Sequence, residues 1–205
     1  MIAVADYGAS NTRSVLRALR AAGAAAELTT DPAVVRGADR VVLPGVGNFA
    51  PAARRLAETG LGEAISDAAR AGRPVLGICL GLQLFFAESE EAPGVPGLGL
   101  LPGVATRFVV DLPIPHVGWA RVEPTVAGRS HPVLRQVLQA PDFFYHVHSY
   151  HPAGLAGDDV LATGTYDAVF PTIVGHDNVL GAQFHPEKSQ RAGIELLDAF
   201  ARWRP

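Results

Sequence analysis

The sequence predicts a single α/β domain, with a central, mostly parallel sheet flanked by helices and further antiparallel strands in its second half. Three observations lead there. The first half alternates short runs, apolar on both faces, with stretches of helical spacing, as βαβ crossovers around a doubly covered sheet require. The second half changes to short strand-like runs close enough in sequence to pair antiparallel. The chain has 205 residues, below the roughly 250 beyond which single cores tend to split.

Ile2 to Ala5 reads as the first buried strand. Ser14 to Ala22 reads as a helix with Val15, Leu16 and Leu19 on one face, Arg13, Arg17 and Arg20 on the other, and Gly23 as its stop. Ala24 to Leu28 reads as a second strand. Asp31-Pro32 supplies an N-cap and a first helical Pro for a short helix ending near Gly37. Val41 to Leu43 is a third strand, followed by the loop Pro44-Gly45-Val46-Gly47-Asn48. Helical spacing then covers Ala50 to Glu58 and Gly62 to Ala71, and Pro74 to Ile78 is another buried strand. Right-handed crossovers make these strands parallel and gather functional loops at their carboxyl ends, here Leu43-Pro44-Gly45 and Ile78-Cys79.

A helical pattern from Leu82 to Phe86 follows, and Glu88 to Pro102, rich in Gly and Pro, reads as a surface excursion. Val104 to Val110, Trp119 to Val122, Phe143 to Val147, Val160 to Gly164, Val169 to Val174 and Val179 to Phe184 read as strands. Gly175-His176-Asp177-Asn178 is a hairpin turn. Gln190 to Trp203 closes the chain as a helix with Ile194, Leu197 and Phe200 near one face.

Composition narrows the function. Lys and Arg number 17 against 20 Asp and Glu, a formal charge of -3, which gives no electrostatic footprint for nucleic acid. Met1 to Asp6 lacks the basic region and apolar stretch of a signal peptide, and no apolar run approaches about 18 residues, so a cytoplasmic chain without membrane contact is predicted. One Cys excludes an internal disulfide, a zinc ribbon or an iron–sulfur site. His146, His148 and His151 are closely spaced, but no carboxylate or Cys completes a ligand set, so neither a metal nor a cofactor is predicted.

A lone Cys is ordinarily a small buried hydrophobe. Its neighbours change that reading. Gly77-Ile78-Cys79-Leu80-Gly81 joins a strand directly to a helical pattern, the arrangement of a nucleophile elbow, in which flanking glycines allow close backbone approach. Amides at the helix start, Leu80 among them, then favour a thiolate and bind an oxyanion. The glycines of Pro44-Gly45-Val46-Gly47 let a Val46 or Gly47 amide complete that hole, unless the loop is only a tight turn. A cysteine nucleophile needs a base and a group to orient it. In Phe184-His185-Pro186-Glu187 the two-residue spacing through Pro lets Glu187 reach the imidazole of His185; the bland alternative is an exposed His-Pro turn. Gln83 stands one helical turn after Cys79 and faces the same pocket or solvent.

Together, Gly77-Ile78-Cys79-Leu80-Gly81-Leu82-Gln83 and Gln183-Phe184-His185-Pro186-Glu187 resemble the signatures of the class I glutamine amidotransferases. Asp6-Tyr7-Gly8, Pro44-Gly45-Val46-Gly47-Asn48-Phe49, His116-Val117-Gly118-Trp119, Val147-His148-Ser149-Tyr150 and His185-Pro186-Glu187-Lys188-Ser189-Gln190 are similar to the branch whose glutaminase subunit forms a heterodimer with a β/α-barrel cyclase of histidine biosynthesis. The resemblance implies one flavodoxin-like domain over 1–205, glutamine as substrate, Cys79 as nucleophile, His185 as base and acid, and Glu187 as orienting carboxylate. It implies Gln83, Glu91, Ser149 and Tyr150 around the glutamine pocket. Asn11, His116, Trp119, Tyr145 and Lys188 are candidates for the partner surface. Core packing competes for Trp119, capping of a sheet face for Tyr145, and plain solvation for Lys188. Two departures bear on that surface: Ala120 stands where the family usually has Asn, and Ala9-Ser10 replaces the usual residues before Asn11.

Other readings of the same residues are a glutaminase partner of another synthase, such as the pyridoxal phosphate or anthranilate systems, a stand-alone cysteine hydrolase, and a non-catalytic binding module. The Pro-Gly-Val-Gly loop and the Lys-Ser-Gln after Glu187 favour the cyclase branch. A hydrolase leaves Gln83 and Ser149-Tyr150 unexplained, and the intact Cys79, His185 and Glu187 speak against a module.

Overall fold

The computed structural model describes every residue except Ser10, so the Ala9-Ser10 departure lies partly outside the described residues. The first half runs β1 (Ile2–Ala5), α1 (Thr12–Ala21), β2 (Ala26–Thr29), α2 (Pro32–Gly37), β3 (Arg40–Gly45), α3 (Phe49–Thr59), α4 (Leu61–Arg70), β4 (Val75–Cys79) and α5 (Leu80–Gln83). The second half adds β5 (Val104–Arg107), β6 (His116–Pro124), α6 (Val126–Ser130), α7 (Leu134–Val137), β7 (Asp142–His148), β8 (Tyr150–Ala153), β9 (Val160–Tyr166), β10 (Ala168–His176), β11 (Val179–Ala182) and α8 (Gln190–Arg202).

Nine strands form one sheet in the order β2-β1-β3-β4-β11-β10-β9-β6-β7. From β2 through β11 every neighbouring pair is parallel; from β11 through β7 every pair is antiparallel. The expected parallel sheet with antiparallel strands added is what the chain forms. Alternate residues of the parallel strands enter two separate cores. Ile2, Val4, Val42, Leu76 and Ile78 pack under α1, α7 and α8, whereas Ala3, Ala5, Val41, Leu43 and Val75 pack under α2, α3, α4 and α5. That double burial is why these strands read as continuous apolar runs. Among the described residues no helix is long and apolar enough to cross a membrane.

Local signals act as expected in several places. Asp31 accepts from the Ala33 amide at 2.8 Å and caps α2, and β10 and β11 join through Asp177-Asn178 with His176 opposite Val179. The structure corrects other readings. The helical pattern of Leu82 to Phe86 is one turn, Leu80–Gln83, because the next carbonyls are taken by the returning excursion: Leu98 N donates to Leu84 O at 2.8 Å and Leu100 N to Phe85 O at 2.7 Å. The strand from Val104 ends at Arg107, where Phe108 N turns to Ser149 O. β8, α6 and α7 carry no clear periodicity and were not expected. β8 holds Pro152 and pairs only with β5 in a separate two-stranded sheet.

Candidate active site

The carboxyl ends of β3, β4 and β7 surround a cleft of about 270 Å³ lined by Val46, Gly47, Asn48, Cys79, Leu80, Gln83, Glu91, Pro115, Val147, His148, Ser149 and Tyr150. Cys79 is the last residue of β4 and turns at φ 53°, ψ -109°. A non-glycine residue held at positive φ stores about 1–3 kcal/mol, and such strain persists only where packing over-determines it. Gly77 and Gly81 provide that packing. A Cβ on Gly77 would lie 2.6 Å from the Phe85 ring and 2.7 Å from Leu82 N, and one on Gly81 would collide with the Leu43 carbonyl oxygen. The short α5 therefore lies directly on β3 and β4, which aims the residue between the glycines into the cleft.

His185 follows β11, the parallel neighbour of β4, with its amide anchored on Tyr145 O at 2.9 Å. Ser189 Oγ donates to His185 O at 2.6 Å and accepts from Tyr145 N at 3.0 Å, tying the segment to β7. His185 Nδ1 donates to Glu187 Oε1 at 2.7 Å, and both side chains are fully buried. This bond fixes the tautomer and leaves Nε2 for the thiol side. Nε2 has no partner in hydrogen-bond geometry, a looseness that catalytic contacts commonly show before substrate binds. Burial lowers the pKa of His185, but the neighbouring Cys79 sulfur, together with the bond and charge of Glu187, outweighs it and pushes it up to about 9. Burial raises Glu187, and its bond and attraction to His185, with a smaller contribution from Asn11, hold it below the usual carboxylate range.

Of the residues expected near the site, Cys79, His185 and Glu187 come together, and Val46, Gly47, Leu80, Gln83, Glu91, Ser149 and Tyr150 all line the cleft. Gly47 is exposed with φ 101°, a conformation that favours glycine. Glu91 Oε2 accepts from Phe49 N at 3.1 Å, so this carboxylate also caps the helix that leaves the glycine loop.

Two candidates for the partner surface turn inward. Asn11, 8% exposed, donates to Glu187 Oε1 at 3.1 Å, and His116, 4% exposed, stacks on Tyr166 at 4.0 Å between ring centroids. Trp119 is 47% exposed, opposite Tyr145 in the β6–β7 register, and Lys188 Nζ lies 5.6 Å from the Tyr145 ring centre. With Val117 and Phe143, also exposed, Trp119 forms an apolar row beside the cleft. Ala120, on the opposite side of β6, is buried.

Sequence reasoning quoted Gln183 and Tyr7 within motifs but gave no role to Gln183, to the Tyr7 hydroxyl beside Gly45, or to the buried imidazoles of His146 and His148. Burial, with lesser contributions from Cys79 and Asp6, raises the Tyr7 pKa above its ordinary value. His116, His146 and His148 form a triangle with ring centroids 5.1–5.4 Å apart. Among the described residues no group of three or more His, Cys, Asp or Glu is arranged to hold a metal ion. Burial, assisted by the charges of His116 and His185 and opposed by the bond to Phe144 O, pushes His146 down from 6.5 to about 3. Between those values the unfolded chain binds more protons, so stability is lost as pH falls through the window. His146 alone is expected to account for about 2 kcal/mol of lost stability between about pH 7 and pH 5. His146→Phe, set between Phe170 and Phe184, is expected to shrink that drop by the same amount in denaturant titrations at the two pH values. An undiminished drop would contradict it.

A family profile described as "Glutamine amidotransferase class-I" matches residues 3–202. "Imidazole glycerol phosphate synthase subunit HisH" of Symbiobacterium thermophilum is 48% identical over 98% of this chain and 93% of its own length. The protein of the same name from Salinibacter ruber is 45% identical over 98% of this chain and 94% of its own. Among solved structures, a putative GMP synthase protein from Thermoplasma acidophilum superposes with TM-score 0.73 at 22% identity, covering 98% of this chain and 91% of that one. That last likeness concerns the fold.

Proposed function

Because the chain belongs to the class-I glutamine amidotransferases, we propose that it is the glutaminase subunit of an imidazole glycerol phosphate synthase, hydrolysing glutamine and handing the ammonia to a β/α-barrel cyclase subunit. The observation that carries the chemistry is the convergence of a Cys on a strained elbow, lining the cleft, with a buried His–Glu pair behind it.

The mechanism follows from the groups present. The Cys79 sulfur attacks the side-chain carboxamide carbon of glutamine, and the Leu80 amide, at the start of α5 with no intrahelical acceptor, faces the developing oxyanion with an amide of the Val46–Gly47 segment. His185, protonated near neutrality because of its two neighbours, gives its proton to the departing ammonia. The imidazole then takes a proton from water, which attacks the thioester carbon. The carbon–sulfur bond breaks, its electron pair stays on sulfur, and glutamate leaves. Gln83, Glu91, Ser149 and Tyr150 hold the substrate's amino-acid end.

The partner reading rests on the apolar row of Trp119, Val117 and Phe143 next to the cleft, since a contiguous apolar strip on a sheet edge fits a protein surface. On this reading the cyclase docks over Trp119, Tyr145 and Lys188, and ammonia passes between the chains to the ring-closing reaction that gives imidazole glycerol phosphate and aminoimidazole carboxamide ribotide. One oxyanion donor contributes about 3 kcal/mol, so a Gly-Val-Gly loop that presents its amide only in the occupied complex changes the rate by about two orders of magnitude. The test is glutamate release by the chain alone and with the cyclase and its ligand. Slow release alone and stimulated release with the cyclase are expected. Equal rates in both, or stimulation only by a synthase of another pathway, would overturn the partner assignment.

A further inference from the structure

We propose that Gln183 is a further catalytic residue, whose side-chain amide donates to the reacting sulfur of Cys79 and is itself oriented through Gln83 by the wall of the cleft. The proposal deepens the glutaminase reading and rests on it.

Gln183 is fully buried just beyond β11, with its backbone amide bonded to Thr172 O at 2.8 Å. A buried primary amide is costly unless its polar atoms are bonded. Here both ends are engaged: Gln183 Nε2 lies 3.8 Å from Cys79 Sγ, and Gln183 Oε1 accepts from Gln83 Nε2 at 3.2 Å. The direction of this chain is set by its far end. Gln83 Nε2 also donates to the Tyr150 carbonyl at 3.2 Å, and a backbone carbonyl can only accept. The amino group of Gln83 must therefore face both Tyr150 O and Gln183. Gln183 must answer with its oxygen, which leaves its N–H pointing at the sulfur.

A donor at that place distinguishes the states of the sulfur. The thiol can point its proton toward Val147 O, 4.0 Å away, and gains little from an incoming N–H, whereas the anion accepts from it strongly. Gln183 also keeps the same charge throughout the cycle, unlike His185. When the thioester is hydrolysed, the imidazole is occupied with the proton of water while the carbon–sulfur electron pair returns to Cys79. Gln183 is the neutral donor that remains on the sulfur at that moment.

Cys79 is the sole cysteine of the chain, so iodoacetamide incorporation reports on this sulfur alone. Gln183→Met keeps the length without the donor, and Gln183→Glu keeps the shape but turns an acceptor toward the sulfur. Both are expected to slow alkylation at neutral pH by about tenfold or more, with cooperative melting retained. In the cyclase complex kcat for glutamine is expected to fall while KM stays within about twofold, the pattern of an interaction made at the reacting atoms. Wild-type alkylation rates in the folded variants would overturn the proposal. Should the variants not fold, the wild-type chain still decides it by NMR: the Gln183 side-chain amide protons are expected to shift in step with thiolate absorbance as Cys79 titrates, and an unresponsive amide would overturn it. Slow alkylation of the variants beside a wild type that hydrolyses no glutamine would support the sulfur contact and remove the glutaminase reading instead.

Discussion

Replacing Cys79 by Ala is expected to abolish glutamine-dependent product formation by the reconstituted pair, by roughly three orders of magnitude or more, while the reaction supplied with ammonia continues. The magnitude follows from the inventory: there is one thiol in the chain, and it sits on the elbow next to the His185–Glu187 pair. Selectivity for the glutamine reaction follows because Ala has the same Cβ and so retains the strained turn at φ 53° and the contacts of α5. The fold and the apolar row on β6 and β7 are then unchanged. Product assays with either nitrogen source check both halves of the statement. Retained glutamine-dependent turnover would show that Cys79 is not the nucleophile.

The second large effect is structural. Gly81→Ala is expected to cost about 3 kcal/mol or more, because the added Cβ meets the carbonyl oxygen of Leu43, a β3 residue locked in register with Gly77 of β4. Neither side can yield: the Leu43 carbonyl belongs to the centre of the sheet, and α5 has only one turn in which to adjust. Gly37→Ala is the contrast. It ends α2 in open space without a positive φ and is expected to be neutral or stabilising by about 0.5–1 kcal/mol. Denaturant titration of the two variants separates close approach from mere flexibility as the reason for glycine, and equal stabilities would contradict the packing account.

These two sites show where the sequence is readable. β1, β3 and β4 stand out because burial on both faces forces short apolar runs, and the elbow stands out because its glycines answer a local collision. The end of α5 is unreadable locally, since it is set by amides arriving from Leu98 and Leu100. The same holds for Asn11. Its position beside the Asp6-Tyr7-Gly8 motif suggests a surface role, yet its partner is Glu187, far along the chain. Gln183 did leave a trace, as an amide inside the apolar run from Val179 to Phe184, where a polar side chain needs a buried partner. Only the packing of β11 beside β4 reveals that the partner is the sulfur.

That neighbourhood has a consequence for the chain as it is made. β4, which ends in the nucleophile, is completed on its far side by β11, and the base, its carboxylate and the amide donor all follow β11 in sequence. Cys79 is made about a hundred residues ahead of His185 and Glu187, and β4 gains its neighbour β11 only once that later stretch exists. A chain that stops short of β11 therefore carries the thiol without its base, its orienting carboxylate or the Gln183 amide.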